Sequence, residues 1–438
     1  MRKKLSIIIF FLSPVFALSQ DKVLTLEEAI ATALRNNFDI QLSKNDSMVA
    51  ALNYSYRNAA FLPRLNATVG TVWNNNDQRQ EFADGTKREL RNIRSNILNP
   101  SVQLSWTLFD GLKMFATRDK AAQLVKLGEL GIKEQIINTV ATVINTYYNV
   151  VKQKQQLKAV EEQISINNER VKLSQYKLDI GVGIKPDVLQ SKIDLNAQKA
   201  LKLEQETLIE QLKEQLNQVM NIASGAFYNV SDSIPLNTGL SLGDIQNDIS
   251  STNPTLLISQ KNIELANLTL KERKAEKWPT VSFNSGYGFN RTNNKATVNP
   301  FQPLYSRNKG YNYGLSASIP ILNNLNNKRQ TKQAVLDIQY QQLVFTSQQS
   351  QLNVAVINAF KEYEQQKKAL QLEEENIILA RENLDIVLQT YKLSATTLLQ
   401  LKEAQKSLED AYNRLIAARY NTKLAETELM RLKGNLVK

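Results

Sequence analysis

Leu62-Pro63-Arg64-Leu65-Asn66-Ala67-Thr68-Val69-Gly70-Thr71-Val72-Trp73 is the stretch on which the fold turns. Upstream of it Leu26, Ala29, Ile30, Ala33 and Leu34 recur at helical spacing, behind Thr25 as N-cap with Glu28 three residues on. Beyond Pro63 the period drops to two. Leu65, Ala67, Val69, Thr71 and Trp73 alternate with Arg64, Asn66, Thr68, Gly70 and Val72, the pattern of a strand with two unlike faces. Proline marks the junction because it has no N–H to give and keeps the residue before it extended.

A second alternating run follows at Val102, Leu104, Trp106 and Leu108. The pair then recurs behind Pro279, as Val281, Phe283, Ser285, Tyr287 and Phe289, then Tyr311, Tyr313, Leu315, Ala317 and Ile319 before Pro320. Strands are expected over about 64–76, 100–109, 280–290 and 311–320, with polar loops at about 74–99 and 290–310. Asn37-Phe38-Asp39-Ile40 matches Asn253-Pro254-Thr255-Leu256, and Trp106-Thr107-Leu108-Phe109-Asp110-Gly111 matches Ile319-Pro320-Ile321-Leu322-Asn323-Asn324. The chain is therefore read as one helix-strand-strand-helix-helix unit written twice, mainly α with a small β part.

After each second strand comes a very long helix. Ile136, Val143, Val150, Leu157, Ile164, Val171 and Leu178 form an unbroken seven-residue repeat. Moved 213 places along without a gap, the repeat falls on Gln349, Val356, Tyr363, Leu370, Ile377, Leu384 and Tyr391. A strict seven-residue period implies left-handed supercoiling against a partner helix. Expected helices run over about 25–58, 112–179, 187–221, 254–277, 325–393 and 398–433, the two longest reaching roughly 100 Å at 1.5 Å per residue. The chain divides into a signal segment 1–19, a first repeat 20–221, a connector 222–253 and a second repeat 254–438.

Composition narrows the function. Gly and Pro total 25 of 438 residues, about half their average share, which suits long uninterrupted elements. No His and no Cys are present, which removes His-based acid–base catalysis, Cys nucleophiles, disulfides and ordinary zinc sites. The acidic residues form no catalytic pattern, so the chain is read as no enzyme, with no cofactor and no metal. The formal charge of +12 carries no nucleic-acid motif and reads as solvated helix faces.

The first 19 residues have the layout of a secretory signal: Arg2, Lys3 and Lys4, an apolar run Leu5 to Leu12, and a small-x-small site at Ala17-Leu18-Ser19 before Gln20. Removing those three charges leaves +9 on the exported part. No run of 18 apolar residues follows, so only strands are candidates for crossing a membrane. Four strands of this length suit a bilayer but close no barrel, and open edges are not tolerated in hydrocarbon. Three copies give twelve strands, and Trp73, Trp106, Tyr287, Tyr311 and Tyr313 suit interfacial aromatic girdles.

This order resembles the TolC family of outer-membrane efflux proteins. The local matches are Leu24-Thr25-Leu26-Glu27-Glu28-Ala29-Ile30 through Asn37, Leu62-Pro63-Arg64-Leu65, Trp106-Thr107-Leu108-Phe109-Asp110-Gly111, Asn253-Pro254 and Trp278-Pro279-Thr280-Val281. The resemblance implies a homotrimer in the outer membrane of a Gram-negative bacterium. Its strands would share one 12-stranded transmembrane β-barrel, continued by a long periplasmic α-helical barrel as an exit duct. Partners so implied are a periplasmic adaptor (membrane fusion protein), an inner-membrane pump of the resistance-nodulation-division, ABC or major-facilitator type, and outer-membrane lipid. Pro63, Pro279 and Pro320 mark helix–strand junctions, whereas Thr107 stands where the family often has Pro.

The same resemblance assigns an adaptor-docking tip to Gly181, Val182, Gly183, Pro186 and Asp187, with Ser394 and Thr397 in the second hairpin. A plain helical hairpin turn is the other reading. Where the family often places two gate aspartates, this sequence has Gln400 and Glu403, with Lys402 beside the latter; a solvated helix position is the alternative for Glu403. The segments 77–94 and 290–310 together carry five more basic than acidic residues and could meet lipopolysaccharide phosphates, or be solvated. A periplasmic or secreted coiled-coil scaffold without a channel is the competing function; it leaves the paired strands behind Pro63 and Pro279 unexplained.

Overall fold

The computed structural model describes residues 23–436; the expected signal segment and Gln20 lie outside them. In chain order the elements are β1 (Val23–Leu24), α1 (Leu26–Asn36), α2 (Phe38–Ser55), a 3-10 turn (Ala59–Phe61), β2 (Arg64–Glu81), β3 (Lys87–Phe109), α3 (Lys113–Asp179) and α4 (Lys185–Met220). Then come β4 (Asn229–Val230), α5 (Leu242–Thr252), α6 (Pro254–Ala275), β5 (Thr280–Asn294), β6 (Tyr305–Ser318), α7 (Asn326–Lys392) and α8 (Leu398–Lys433). The described residues are mainly helical with a small sheet part. No helix among them is long and apolar enough to cross a membrane.

The backbone repeats with the 213-residue offset. Helices α3 and α7 have 67 residues each, α4 and α8 have 36 each, and every boundary shifts by that one offset. Left-handed backbone recurs at the same spacing: Gly111 and Leu112 against Asn324 and Leu325, Gly181 against Ser394, and Asn221 against Gly434. The matched asparagines do the same work in each half. The Asn37 amide donates to the Val219 carbonyl and the Asn253 amide to the Leu432 carbonyl, both at 2.9 Å.

The chain forms two compact units, and α3 and α7 carry residues of both. One unit holds residues up to Leu42, Lys133–Asn253 and from Gln351 onward. Its largest core packs Ala29 and Ala33 of α1 with Val140, Val143, Tyr147 and Val150 of α3 and Leu216 and Met220 of α4. β1 pairs in parallel with β4 there. The Tyr147 hydroxyl donates to the Leu24 carbonyl (2.8 Å) and accepts from the Ser231 N–H (3.2 Å), so the pair is pinned to α3. A second core joins Ile245 and Ile249 of α5 to Val356 and Tyr363 of α7 and Leu429 of α8.

The other unit holds Ser43–Ile132 and Pro254–Ser350, with the sheet in the order β2-β3-β5-β6, antiparallel throughout. Gly111 is obligatory at its strand-to-helix turn: φ is +73°, and a Cβ would lie 2.3 Å from the Ala275 carbonyl oxygen. Gly128 lets α3 approach Ser47 of α2, where a Cβ would lie 3.0 Å from its hydroxyl.

Several elements differ from expectation. The helix expected over about 25–58 is two, because the Asn37 side chain accepts from the N–H groups of Asp39 (3.0 Å) and Ile40 (3.2 Å) and starts α2 afresh. The expected irregular connector contains α5, capped by Ser241. The expected polar loops are mostly strand, β2 running on to Glu81 and β6 starting at Tyr305. An antiparallel ladder satisfies its backbone whatever the side chains, and no alternation marks a stretch whose two faces are both polar.

Ser394 has φ +61° at the place where Gly181 has φ +80°, and left-handed backbone costs a residue with a Cβ roughly 1–2 kcal/mol. Allowing for the extra freedom glycine has when unfolded, Ser394→Gly should stabilise the second turn by about 0.5 kcal/mol. Gly181→Ala should destabilise the first by about 1 kcal/mol through conformation, since a Cβ there meets open space. Amide hydrogen exchange at the two turns checks both signs.

Candidate functional site

The sheet has one apolar and one polar face. Across the strands the register sets Leu65, Leu104, Ser285 and Tyr313 in one row and Ala67, Val102, Tyr287 and Tyr311 in the next, with Trp106, Phe283 and Leu315 on the same face. The opposite face carries Asn66, Gln103, Gly286 and Asn312, then Thr68, Ser101, Gly288 and Gly310. Polar cross-strand bonds join Thr68 to Ser101 (2.9 Å) and Asn284 to Ser316 (2.9 Å) on that face. The apolar side chains are open, Val69 at 77%, Tyr311 at 78% and Leu315 at 72% exposure. β2 and β6 are the two edges of the sheet, and every residue of β6 is exposed.

The helix ends at the two hairpin turns form a second constellation. α3 ends on Gly181, whose left-handed backbone lets the N–H groups of Val182 and Gly183 bond back to the Lys177 carbonyl. α7 ends likewise on Ser394, with the Ala395 N–H on the Thr390 carbonyl. Pro186 lies in the first turn of α4, where its missing N–H costs nothing, and Asp187 follows where the helix dipole favours an acid. Val182, Gly183, Asp187, Ser394 and Thr397 line one cleft of about 370 Å³ between the turns. The Lys177 ammonium closes it, donating to the Tyr391 carbonyl (2.5 Å) and standing 3.8 Å above that ring. Burial pulls Lys177 below the usual ammonium pKa, and Asp187 partly offsets this.

Above the turns the two halves diverge. The seven-residue repeat of α7 is buried at Val356, Tyr363, Leu370, Leu384 and Tyr391. In α3 it is buried at Val143 and Val150, and lower down the buried stripe is polar: Gln163, Asn167, Arg170 and Ser174. Arg170 is 2% exposed; it donates through Nη1 to Gln405 Oε1 on α8 (2.5 Å) and through Nη2 to Asp194 Oδ2 on α4 (2.6 Å). Lys402 of α8 also pairs with Asp194 (3.2 Å). Burial raises the Asp194 carboxyl, but hydrogen bonds from Gln190 and Lys402 and the Arg170 charge outweigh it and hold its pKa below the usual value. Further ties cross between the hairpins, Lys392 to Glu169 (2.8 Å) and the Tyr412 hydroxyl to Glu162 (2.7 Å).

Of the two gate candidates, Gln400 closes a capping box with Thr397: its side-chain oxygen accepts from the Thr397 N–H (2.9 Å), while the Thr397 hydroxyl accepts from the Gln400 N–H (3.3 Å). Glu403 is exposed, and its neighbour Lys402 is turned to Asp194. Pro63 precedes β2, Pro279 precedes β5, and Pro320 follows β6. Sequence reading missed Arg170, Asp194 and Gln405. The available signal was polar residues at 163, 167, 170 and 174, a seven-residue stripe of their own beside the apolar one.

The family model described as outer membrane efflux protein matches residues 29–222 and 246–435, one match in each half. The chain is 20% identical over 426 residues to the outer membrane efflux protein BepC of Brucella suis biovar 1 (strain 1330), covering 94% of this chain and 86% of that one. It is 21% identical over 449 residues to the outer membrane protein TolC of Escherichia coli (strain K12), covering 100% and 87%. The solved outer-membrane channel OprN has the same fold, with a TM-score of 0.77 at 15% identity over 94% of this chain and 90% of that chain.

Asp194→Asn leaves the buried Arg170 without its carboxylate and should destabilise the unit by about 3 kcal/mol, read as the thermal midpoint in detergent at pH 7. A depressed carboxyl stabilises above its unfolded pKa of about 4 and loses that contribution as pH falls through the lowered folded value. The wild type should therefore lose the contacts among α3, α4 and α8 below about pH 4, and Asp194→Asn should flatten that acid limb.

Proposed function

The chain belongs to the outer membrane efflux protein family, and from that premise we propose that three copies form a passive exit duct through the outer membrane. The carrying observation is the sheet, with an apolar face, a polar face and two open edges. Unpaired edges are not tolerated in hydrocarbon, and twelve strands from three copies would remove them. The apolar rows would meet lipid, the polar and glycine rows would line water, and the helices would continue the duct into the periplasm. Pro63, Pro279 and Pro320 would mark where helix gives way to strand in each repeat, the repeats being 20–221 and 254–438 around the connector 222–253.

Energy would come from partners, a periplasmic adaptor and an inner-membrane pump of the resistance-nodulation-division, ABC or major-facilitator type. Docking is proposed at the cleft lined by Val182, Gly183, Asp187, Ser394 and Thr397, with Gly181 and Pro186 shaping the first turn. Apolar side chains stand open around it, Val182 at 65% and Leu399 at 65% exposure, as a docking surface needs. Glu403 is proposed as the constriction, three carboxylates around the axis repelling one another and attracting cations. Gln400 holds the start of α8 beside it, and the Arg170–Asp194–Lys402 cluster would tie the hairpins in the closed state.

The chain has no native cysteine, so pairs introduced along β2 and β6 can be oxidised without background. The expected product is a ladder ending at three linked protomers in the outer-membrane fraction; a ladder ending at two, or soluble monomer, sinks the shared barrel. Single-channel conductance should rise, and block by divalent cations should fall, in Glu403→Ala. Unchanged conductance and block remove Glu403 from the gate.

A further inference from the structure

The apolar rows of the sheet end in cations. Outward from Tyr287 and Tyr311, toward the hairpin turns, the register places Phe289 opposite Lys309, then Arg291 opposite Arg307, with Leu98 beside Arg291. All lie on the face that carries Tyr287 and Tyr311, because side chains alternate with period two. From Val281 to Arg291 the strand measures about 34 Å at 3.4 Å per residue, which at a barrel tilt of about 40° is roughly 26 Å along the membrane normal, close to the ~25 Å apolar band of an outer-membrane barrel. The first cations thus stand where hydrocarbon would end.

Among the described residues these charges form no ion pair. Residues 280–318 contain no Asp or Glu. The acids of the neighbouring hairpin are engaged at home: Glu81 with Lys87 (3.1 Å), Glu89 with Arg91 (3.0 Å), Asp77 with the Asn92 N–H (2.7 Å) and Asp84 with the Thr86 N–H (2.9 Å). Arg291 and Arg307 stand directly opposite across two paired strands, where like charges are destabilising, and the Arg307 guanidinium lies 5.8 Å from the Phe289 ring centroid. Next along the same face, a cleft of about 350 Å³ is lined by Trp73, Asn75, Arg94, Asn96, Asn293 and Lys295. It supplies two more cations, amide donors and an indole suited to a membrane interface.

We infer that this cationic belt binds the phosphorylated headgroup of an outer-leaflet glycolipid, with Arg291 and Arg307 on one phosphate and Arg94 and Lys295 on a second. Guanidinium forks match phosphate oxygens in pairs, and a lipid with two phosphates would span the two cation rows, which the Asn96–Asn293 row separates. The acyl chains would lie along Tyr311, Tyr313 and Leu315. The inference rests on the reading of the apolar face as the membrane face.

The test uses the full-length trimer in phosphatidylcholine nanodiscs doped with diphosphoryl lipid A, or with the same lipid dephosphorylated, and scored for retained lipid by native mass spectrometry. The double variant Arg291→Gln/Arg307→Gln should retain lipid A at least roughly tenfold less than wild type, as loss of two surface cations implies, while Arg79→Gln/Arg88→Gln should match wild type. Dephosphorylated lipid should be retained poorly by every variant. In lipid-free detergent the Arg291→Gln/Arg307→Gln protein should melt at or above wild type, because a repulsion is removed. Equal retention by the double variant, equal retention of dephosphorylated lipid, full displacement by millimolar inorganic phosphate, or a lowered melting point each overturns the inference. If wild type enters the discs and conducts in bilayers but shows one of those results, the lipid site alone falls; if it neither inserts nor conducts, the channel reading falls with it.

Discussion

A backbone N–H or C=O in hydrocarbon has no water to turn to, and each one left unpaired costs several kcal/mol. That requirement governs the proposed duct, because among the described residues the sheet stops after four strands, with the outer edges of β2 and β6 unpaired. The rest of the sheet suits the surroundings that the proposed closure would create. One face is apolar along Leu104, Val102, Tyr287 and Tyr313, the other polar or small along Gln103, Ser101, Gly286 and Asn312. Exposure that would be a liability on a lone sheet becomes sensible when one face has lipid beside it and the other has water.

The duplication shows what a repeat conserves when its letters drift. Gly181 and Ser394, or Asn221 and Gly434, differ in side chain but share left-handed backbone. Asn37 and Asn253 cap different helices with the same amide-to-carbonyl bond. Geometry persists because a helix of fixed length must end at the same place to pack against the same neighbours. Side chains diverge where packing permits: α7 buries an apolar stripe to its end, while α3 exchanges its lower stripe for Gln163, Asn167, Arg170 and Ser174. Buried charge is costly to strand alone, so the polar seam makes one hairpin's attachment depend on a few named pairs, above all Arg170 with Asp194.

Much of the architecture was legible in the sequence. The change of period at Pro63 and Pro279 located the strands, and the gapless seven-residue repeat located α3 and α7, since side-chain spacing reports directly which face is buried. Less was legible where no face is buried. The strands beyond Trp73 and Phe289 continue through polar residues, because their ladder is held by backbone bonds that leave no mark in composition. The break at Asn37 was hidden because no glycine or proline stands near it to mark a helix end. At the turns, Gly181 announced itself by type; Gln400 did not, since its partner is the Thr397 backbone.

The sequence by itself determined the order of the main elements, the lengths of the four hairpin helices α3, α4, α7 and α8, the internal repeat, the absence of thiol and imidazole chemistry and the two unlike faces of each strand. These follow from local spacing and residue type. Only the tertiary structure decided that Arg170 meets Asp194 and Gln405, that Lys402 turns from Glu403 to Asp194, and that Arg291 faces Arg307. Those pairings depend on strand register and helix rotation, which are set by the whole packed ensemble, and no spacing within one segment encodes them.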